Sequence, residues 1–155
     1  MADITQILAP DCTLVDVPAA SRKRALEIAS DLIAAHAPAI SGRALFDGLM
    51  TRERLGSTGL GEGIAIPHCR MPCREPVGAL LRLGAPIDFD AIDDQPVDIL
   101  FVLVVPPEEN TAHLKTLAAL AKVFQNPAHR ARLRAQPSAA ALYEEFVALM
   151  RTEAA

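Results

Sequence analysis

Two histidines and one arginine stand beside sequence features that hold side chains in fixed positions. His68 follows Pro67 at the end of the apolar run Ile64-Ala65-Ile66, and His113 lies in the first turn of a predicted helix. Arg52 precedes a stretch rich in glycine, at positions 56, 59, 61 and 63. Imidazole, guanidinium and loop N–H groups are all groups that bind phosphate. The set predicts an anion site, but no Walker lysine follows the glycines, so a nucleotide-binding P-loop is not supported.

Each of these residues also has a purely structural interpretation. A glycine-rich loop is often ordinary turn punctuation, a histidine in a first helical turn is often a polar surface residue, and an arginine on an amphipathic helix is usually solvated. Zinc is a further alternative, because Cys69 and Cys73 are close in sequence to His68 and can be joined by His113. The spacing lacks the usual close cysteine pair, so we predict no metal.

The predicted strands deliver the two histidines to one region. Proline cannot donate to a sheet ladder, so the strand before His68 is expected to end at Pro67. The unbroken β-branched run Val97–Val105 is typical of a central strand, and two prolines end it shortly before His113. Ligands of sheets covered by helices collect at strand ends and helix N-termini, so the two histidines can share a pocket.

Helical periodicity and capping residues predict the remaining elements. Helices are expected over residues 21–36 after the cap Ser21, over 41–54 after Ser41, and over 112–124 after a cap at Asn110 or Thr111. In the third helix, Leu114, Leu117, Ala118, Leu120, Ala121 and Phe124 are expected to face inward. Further helices follow Asn126-Pro127 and Pro137-Ser138. A helical turn is expected over 3–8, and strands over 12–17 and 77–83. The pattern is that of a single α/β domain, residues 1–155, with helices on both faces of a sheet.

Composition restricts the class of partner. The chain has 155 residues, a formal net charge of -4 and only 4% aromatic residues, so neither a basic surface nor a stacking platform for nucleic acid is present. A basic protein partner suits this charge better. No apolar run approaches the length of a membrane span, and the three cysteines form no disulfide framework. We expect a cytoplasmic protein without membrane insertion.

Three segments together resemble one known family. The first combines Arg52-Glu53, Gly56-Ser57-Thr58-Gly59-Leu60-Gly61 and Gly63-Ile64-Ala65-Ile66-Pro67-His68. The others are His113-Leu114-Lys115-Thr116-Leu117 and Lys23-Arg24-Ala25-Leu26-Glu27-Ile28. They resemble the signatures of the IIA proteins of the phosphoenolpyruvate-dependent phosphotransferase system, fructose and mannitol superfamily. Within it, the likeness is greatest to the nitrogen-regulatory IIA proteins, and it covers nearly the whole chain.

The resemblance implies a mixed central sheet of about five strands and a phosphocarrier function. His68 would be phosphorylated on Nε2, with Arg52 and His113 as pocket partners. Loop N–H groups would bind the phosphoryl oxygens, at Ser57, Thr58, Gly59, Gly61 and Gly63. The family needs no cofactor or metal. Its phosphodonor is an HPr-like phosphocarrier that an enzyme I-type protein charges, and its regulated targets include sensor kinases and transporters.

One departure and two alternatives remain open. Family members commonly have glycine after the active histidine, whereas this chain has Cys69, which raises the hypothesis of a redox-sensitive site. The first alternative function is the IIA component of a fructose or mannitol permease, which passes phosphate to a IIB domain. The second is a non-catalytic interaction or metal-binding module on the same fold.

Overall fold

One mixed sheet runs through the centre of the protein, and helices cover both of its faces. The computed structural model describes residues 3–108 and 111–154. Within these residues the strands are β1 (Leu8–Val17), β2 (Gly59–Gly61), β3 (Ile64–Ala65), β4 (His68–Arg70), β5 (Val77–Ile87) and β6 (Val97–Val105). The helices are α1 (Arg22–His36), α2 (Gly42–Leu55), α3 (Thr111–Gln125), α4 (Pro127–Arg134) and α5 (Ala139–Ala154). No helix in the described ranges is long and apolar enough to cross a membrane.

The strand order places β6 at the centre of the sheet. The order is β1-β5-β6-β3-β2, and β4 also pairs with β6. β6 is antiparallel to β5 and parallel to β3 and β4. Leu100 and Phe101, which point to opposite faces of β6, are both fully buried. The ring of Phe101 stacks on Phe146 of α5 at 5.4 Å between centroids, while α1 and α2 pack on each other and against β5 and β4. The predicted mixed sheet with helices on both faces is confirmed.

Pro67 divides a strand that the sequence predicted to end there. β3 and β4 pair with β6 in the same register, Ile64 with Ile99 and His68 with Leu103. Between them, the N–H of Leu103 donates to the carbonyl oxygen of Pro67 at 2.9 Å. The strand does end before His68, as expected, but pairing with β6 resumes at His68, because β6 needs only the carbonyl of the proline and not the donor that proline lacks. The same interruption explains why the sheet has six strands rather than about five.

Two other strands are longer than predicted. β1 begins at Leu8 and includes Pro10, which an edge strand tolerates because one side of its backbone has no strand partner. The predicted helical turn is reduced to the 3-10 turn Ile4–Gln6, capped by Asp3. β5 continues past Leu83 to Ile87, and its pairing with β6 shifts register in that extension. Glycine and proline in the extension misled the prediction, because tertiary pairing overrode their local preference.

The predicted helix starts agree with the structure where a capping side chain is described. The Ser21 hydroxyl accepts from the Arg24 N–H, and the Ser41 hydroxyl accepts from the Ala44 N–H. Asn126 caps α4 with proline in its first turn. The predicted cap Asn110 lies outside the described residues, and α3 begins at Thr111. Caps are local side-chain chemistry, which is why sequence predicts them well.

The predicted inward face of α3 is partly wrong. Leu114 is 64% exposed and Ala118 is also exposed, whereas Thr116 is buried. The Thr116 hydroxyl donates to the Ala112 carbonyl oxygen at 3.0 Å, which satisfies it inside the protein. The residues of α3 that are buried beside it are Leu120, Val123 and Phe124. The buried face is therefore rotated from the predicted one, and an apolar side chain is left at the surface close to His113.

Candidate active site

A cavity of about 470 Å³ opens at the carboxyl ends of β4 and β6. It contains all three side chains that the sequence predicted to act together, Arg52, His68 and His113. α2, β4, β6 and α3 each contribute to the wall, and the other lining residues are Gly48, Thr51, Leu55, Cys69, Arg70, Leu103, Val105, Leu114 and Leu117. Among the described residues the lining includes two arginines and no carboxylate, so the cavity suits an anion.

His68 is held in one tautomer by its own strand. Its Nδ1 lies 2.7 Å from the carbonyl oxygen of Ile66. A carbonyl only accepts hydrogen bonds, so Nδ1 carries the proton and Nε2 keeps its lone pair. The half-buried ring also starts β4, whose pairing with β6 fixes its backbone. In the neutral ring, Nε2 is therefore the nitrogen whose lone pair is free.

His113 enters the cavity from the first turn of α3. The residue is half-buried, and its Nδ1 is buried without a hydrogen-bond partner among residues 3–108 and 111–154. A buried ring nitrogen that lacks a partner carries a desolvation cost of about 1–3 kcal/mol. Such a nitrogen calls for an explanation, and a bound water or ligand is one.

Arg52 reaches the cavity from the last turn of α2. Its Nη1 donates to the carbonyl oxygen of Gly56 at 2.8 Å, just beyond the helix end. The guanidinium has further N–H groups, and these have no partner in the part of the chain that the structure describes. The guanidinium of Arg52 therefore places a positive charge and available N–H donors in the same cavity as the two histidines.

The glycine-rich segment that the sequence predicted to bind phosphate does not line this cavity. The Ser57 hydroxyl donates to the Phe89 carbonyl oxygen at 2.6 Å and accepts from the Gly59 N–H at 3.0 Å. Both the N–H and the hydroxyl of Thr58 donate to the carboxylate of Glu53. These donors are engaged in interactions that hold the segment to the fold, and their role as phosphate ligands stays a prediction.

The glycines themselves allow close packing. A Cβ on Gly59 would lie 2.7 Å from the Cβ of Ala91. Gly63 has a φ of 84°, and a Cβ there would overlap a nitrogen of Arg134 and lie 2.8 Å from an oxygen of Asp98. Gly61 lies at the end of β2. Because Gly59 and Gly63 have no Cβ, neighbouring chain segments can pack closely against β2 and β3.

Sequence reasoning missed two features of the site. Glu53, adjacent to Arg52, is only 4% exposed. A carboxylate in the last turn of a helix opposes the helix dipole, and this is the signal in the sequence that it has another partner. Leu55 and Leu114 line the cavity while 82% and 64% exposed, so its rim is apolar.

Cys69 is a protonated thiol that packs against α2. Burial raises its pKa to about 11, and the nearby Cys73 adds to the shift. A Cβ on Gly48 would lie 3.3 Å from the Cys69 Sγ, so this position of α2 has little room for a larger residue. Because the thiolate is the reactive form, the raised pKa argues against the redox-sensitive site that the sequence suggested.

Only one group in the described ranges has ligand atoms arranged for a metal ion, and it lies away from the cavity. It consists of Asp11, Cys12 and His36, whose donor atoms lie within 4.8 Å of one another. Burial raises the pKa of the Cys12 thiol to about 11, which disfavours the thiolate that a metal would need. Within residues 3–108 and 111–154, Cys69 and Cys73 form no comparable group with the cavity histidines.

The fold and the site together define a class of protein, and a family comparison shows it. Residues 6–148 match the family described as phosphoenolpyruvate-dependent sugar phosphotransferase system, EIIA 2. The chain belongs to this family, whose members are phosphocarriers. The resemblance that the two histidine segments indicated is confirmed.

Individual relatives agree with the family assignment. The chain is 48% identical over 148 residues to the nitrogen regulatory protein of Pseudomonas aeruginosa. The aligned region covers 95% of this chain and 96% of that protein. The crystal structure of nitrogen regulatory protein IIA-Ntr from Neisseria meningitidis matches with a TM-score of 0.87 and 36% identity, covering 96% of this chain and 99% of that one. IIA mannitol from Escherichia coli shares the fold, with a TM-score of 0.69 and 18% identity over 92% and 96% of the two chains.

Proposed function

We propose that this protein accepts a phosphoryl group on Nε2 of His68 from a histidine-phosphorylated HPr-like protein. One observation carries the proposal: the Nδ1 of His68 is bonded to the Ile66 carbonyl, which leaves Nε2 as the free nitrogen in a cavity that holds Arg52 and His113. An enzyme I-type protein would charge the donor from phosphoenolpyruvate. The reaction needs no cofactor.

The transfer is a direct exchange of one N–P bond for another. The lone pair of Nε2 attacks phosphorus, the bond to the donor histidine breaks, and that histidine keeps the electron pair. Such transfers depend mainly on alignment and on stabilisation of the equatorial oxygens. Arg52 supplies a cation and N–H groups without a partner among the described residues, and His113 supplies an imidazole in the same cavity.

The apolar rim supports a protein as the donor. Leu55 and Leu114 are the exposed apolar residues beside the cavity, and apolar anchors at the centre of a contact are typical of protein interfaces. A docked partner would cover them and exclude water from the reacting nitrogen. A free phosphate or a small phosphorylated metabolite would leave both leucines in solvent.

We infer a regulatory output from the nitrogen regulatory relatives. A phosphoryl group on His68 places about two negative charges in the middle of this apolar rim, so the two forms would present different surfaces to a docking partner. Sensor kinases and transporters are the target classes that fit such a switch. A sugar permease component is the second candidate, and it would instead pass its phosphoryl group on to a IIB domain.

The test is incubation with phosphoenolpyruvate, an enzyme I-type protein and an HPr-like protein. We expect an acid-labile, alkali-stable phosphoryl group on the wild type and none on His68→Ala. The matched control is His36→Ala, which removes an exposed histidine from the end of α1 and should leave labelling intact. Labelling of His68→Ala would refute the site. Transfer from the labelled protein to a IIB domain would support the permease alternative instead.

A further inference from the structure

Glu53 is a buried carboxylate that the transfer reaction does not itself explain. It lies in the last turn of α2 with its side chain 1% exposed. Both its burial and its place near the helix C-terminus disfavour a negative charge. A carboxylate persists in such a place only when several donors satisfy it, so its partners indicate what it does.

The partners of Glu53 come from two different parts of the chain. The N–H of Thr58 lies 3.1 Å from one carboxylate oxygen, and the Thr58 hydroxyl also donates to the carboxylate. Nη1 of Arg22, from the start of α1, lies 3.5 Å from the carboxylate. The Arg22 guanidinium is itself placed over the ring of Phe89, 5.7 Å from the centroid. The Glu53 carboxylate therefore connects Arg22 at the start of α1 with Thr58 in the segment after α2.

Two more hydrogen bonds connect Thr58, a partner of Glu53, to His68. The carbonyl oxygen of Thr58 accepts from the N–H of Ile66 at 3.1 Å. The carbonyl oxygen of Ile66 in turn accepts from Nδ1 of His68 at 2.7 Å. A continuous series of bonds thus runs from the Glu53 carboxylate through Thr58 and Ile66 to the imidazole. The last bond is the one that selects the tautomer.

We propose that Glu53 is a positioning residue for phosphoryl transfer, which acts through Thr58 and Ile66 to hold His68 with Nδ1 protonated and Nε2 directed to the cavity. The proposal rests on the proposed function for its effect on rate. Its effect on the imidazole does not depend on that function. Glu53 has no contact with the cavity itself, because it is absent from the lining.

The first test compares Glu53→Gln with Glu62→Gln. Glutamine keeps the size of the side chain, but its NH₂ cannot accept a hydrogen bond, so one of the Thr58 bonds and the ion pair with Arg22 are lost. Glu62 is an exposed carboxylate in the same glycine-rich segment, so its substitution controls for a lost charge. We expect phosphorylation of Glu53→Gln to be about tenfold to hundredfold slower, and that of Glu62→Gln to match the wild type.

A spectroscopic measurement separates positioning from a general loss of structure. Nitrogen-15 NMR of the imidazole distinguishes a protonated Nδ1 from a protonated Nε2. The wild type should show Nδ1–H for His68, and Glu53→Gln should show an increased share of Nε2–H. Unchanged tautomer populations in Glu53→Gln would overturn the proposal, as would a rate no lower than that of Glu62→Gln.

Thr58→Val keeps the proposal testable if Glu53→Gln does not fold. It removes only the hydroxyl bond and keeps the N–H bond, so it should change the rate and the tautomer in the same direction by a smaller factor. A folded Thr58→Val protein with wild-type values for both would overturn the proposal. If the wild type takes up no phosphoryl group, the proposed function fails, and the NMR comparison still decides the role of Glu53.

Discussion

Replacement of Arg52 by methionine tests the electrostatic part of the proposed reaction. Methionine keeps an unbranched stem of similar length but removes the cation and all of its N–H groups. Arg54 is the matched control, because it lies in the same last turn of α2, is exposed, and is not part of the cavity lining. Arg52→Lys completes the series, since it keeps the charge without the planar fork of donors.

The expected magnitude follows from what Arg52 contacts. Its bond to the Gly56 carbonyl is solvent-exposed, so its loss should cost about 0.5 kcal/mol of the free energy of unfolding and lower the Tm by about 1–2 °C. The loss of a preorganised donor to the transition state costs about 2.7–4 kcal/mol, or about 100-fold to 1000-fold in rate. The expected loss of stability is much smaller than the expected rise of the activation barrier, so slower transfer by Arg52→Met cannot come from unfolding.

Single-turnover transfer from the phosphorylated HPr-like protein measures the rate, and thermal unfolding of the same samples measures stability. We expect Arg52→Met to lose about two to three orders of magnitude in rate, Arg52→Lys to lie between it and the wild type, and Arg54→Met to match the wild type. A rate for Arg52→Met within a factor of about three of the wild type would refute the assignment of Arg52 to the phosphoryl oxygens.

Two further predictions concern pKa values. Because burial raises the pKa of the Cys69 thiol to about 11, iodoacetamide should label Cys69 slowly near neutral pH and faster as the pH approaches that value; rapid neutral labelling, detected by peptide mass spectrometry, would contradict this. The hydrogen bonds from Arg151 and Thr5 lower the pKa of Asp3 below its ordinary value of 3.8. Their stabilisation is present above that value and is lost as the pH falls through the lowered pKa, so the advantage of the wild type over Asp3→Asn in free energy of unfolding should shrink below about pH 4. Denaturant titrations at several pH values measure that advantage, and a constant difference would exclude the ion pair as its source.

Sequence predicted those parts of the fold that local chemistry decides. The unbroken run Val97–Val105 is the central strand because its side chains are apolar on both faces, and Ser21 and Ser41 start helices because their hydroxyls accept backbone N–H groups. The return to pairing with β6 after Pro67 was not predictable in this way. It depends on the partner strand, which uses the proline carbonyl and needs no proline N–H. Similarly, only the packing of the other helices decides that Thr116 rather than Leu114 faces inward on α3.

The site shows the same division between local and tertiary information. Residue type and spacing were enough to single out Arg52, His68 and His113, because each is followed or preceded by a feature that fixes its position. The glycine-rich segment was expected to supply phosphate ligands, since glycine, serine and threonine favour such loops. That chemistry does not reveal whether the N–H groups face a ligand or the rest of the fold.

In the structure, the glycine-rich segment is connected to His68 by hydrogen bonds through Thr58 and Ile66. Ser57 and Thr58 bond to Phe89 and Glu53, and the Thr58 carbonyl bonds to Ile66. The missing Cβ atoms at positions 59 and 63 let the segment lie close to its neighbours. To contact the phosphoryl group, the hydroxyl of Ser57 and the N–H of Thr58 would have to leave these partners. A segment that stays bonded to the fold would instead hold the imidazole in place, while Arg52 of α2 would provide the charge. A substitution in this segment should therefore lower the transfer rate through the position of His68 rather than through affinity for the phosphoryl group.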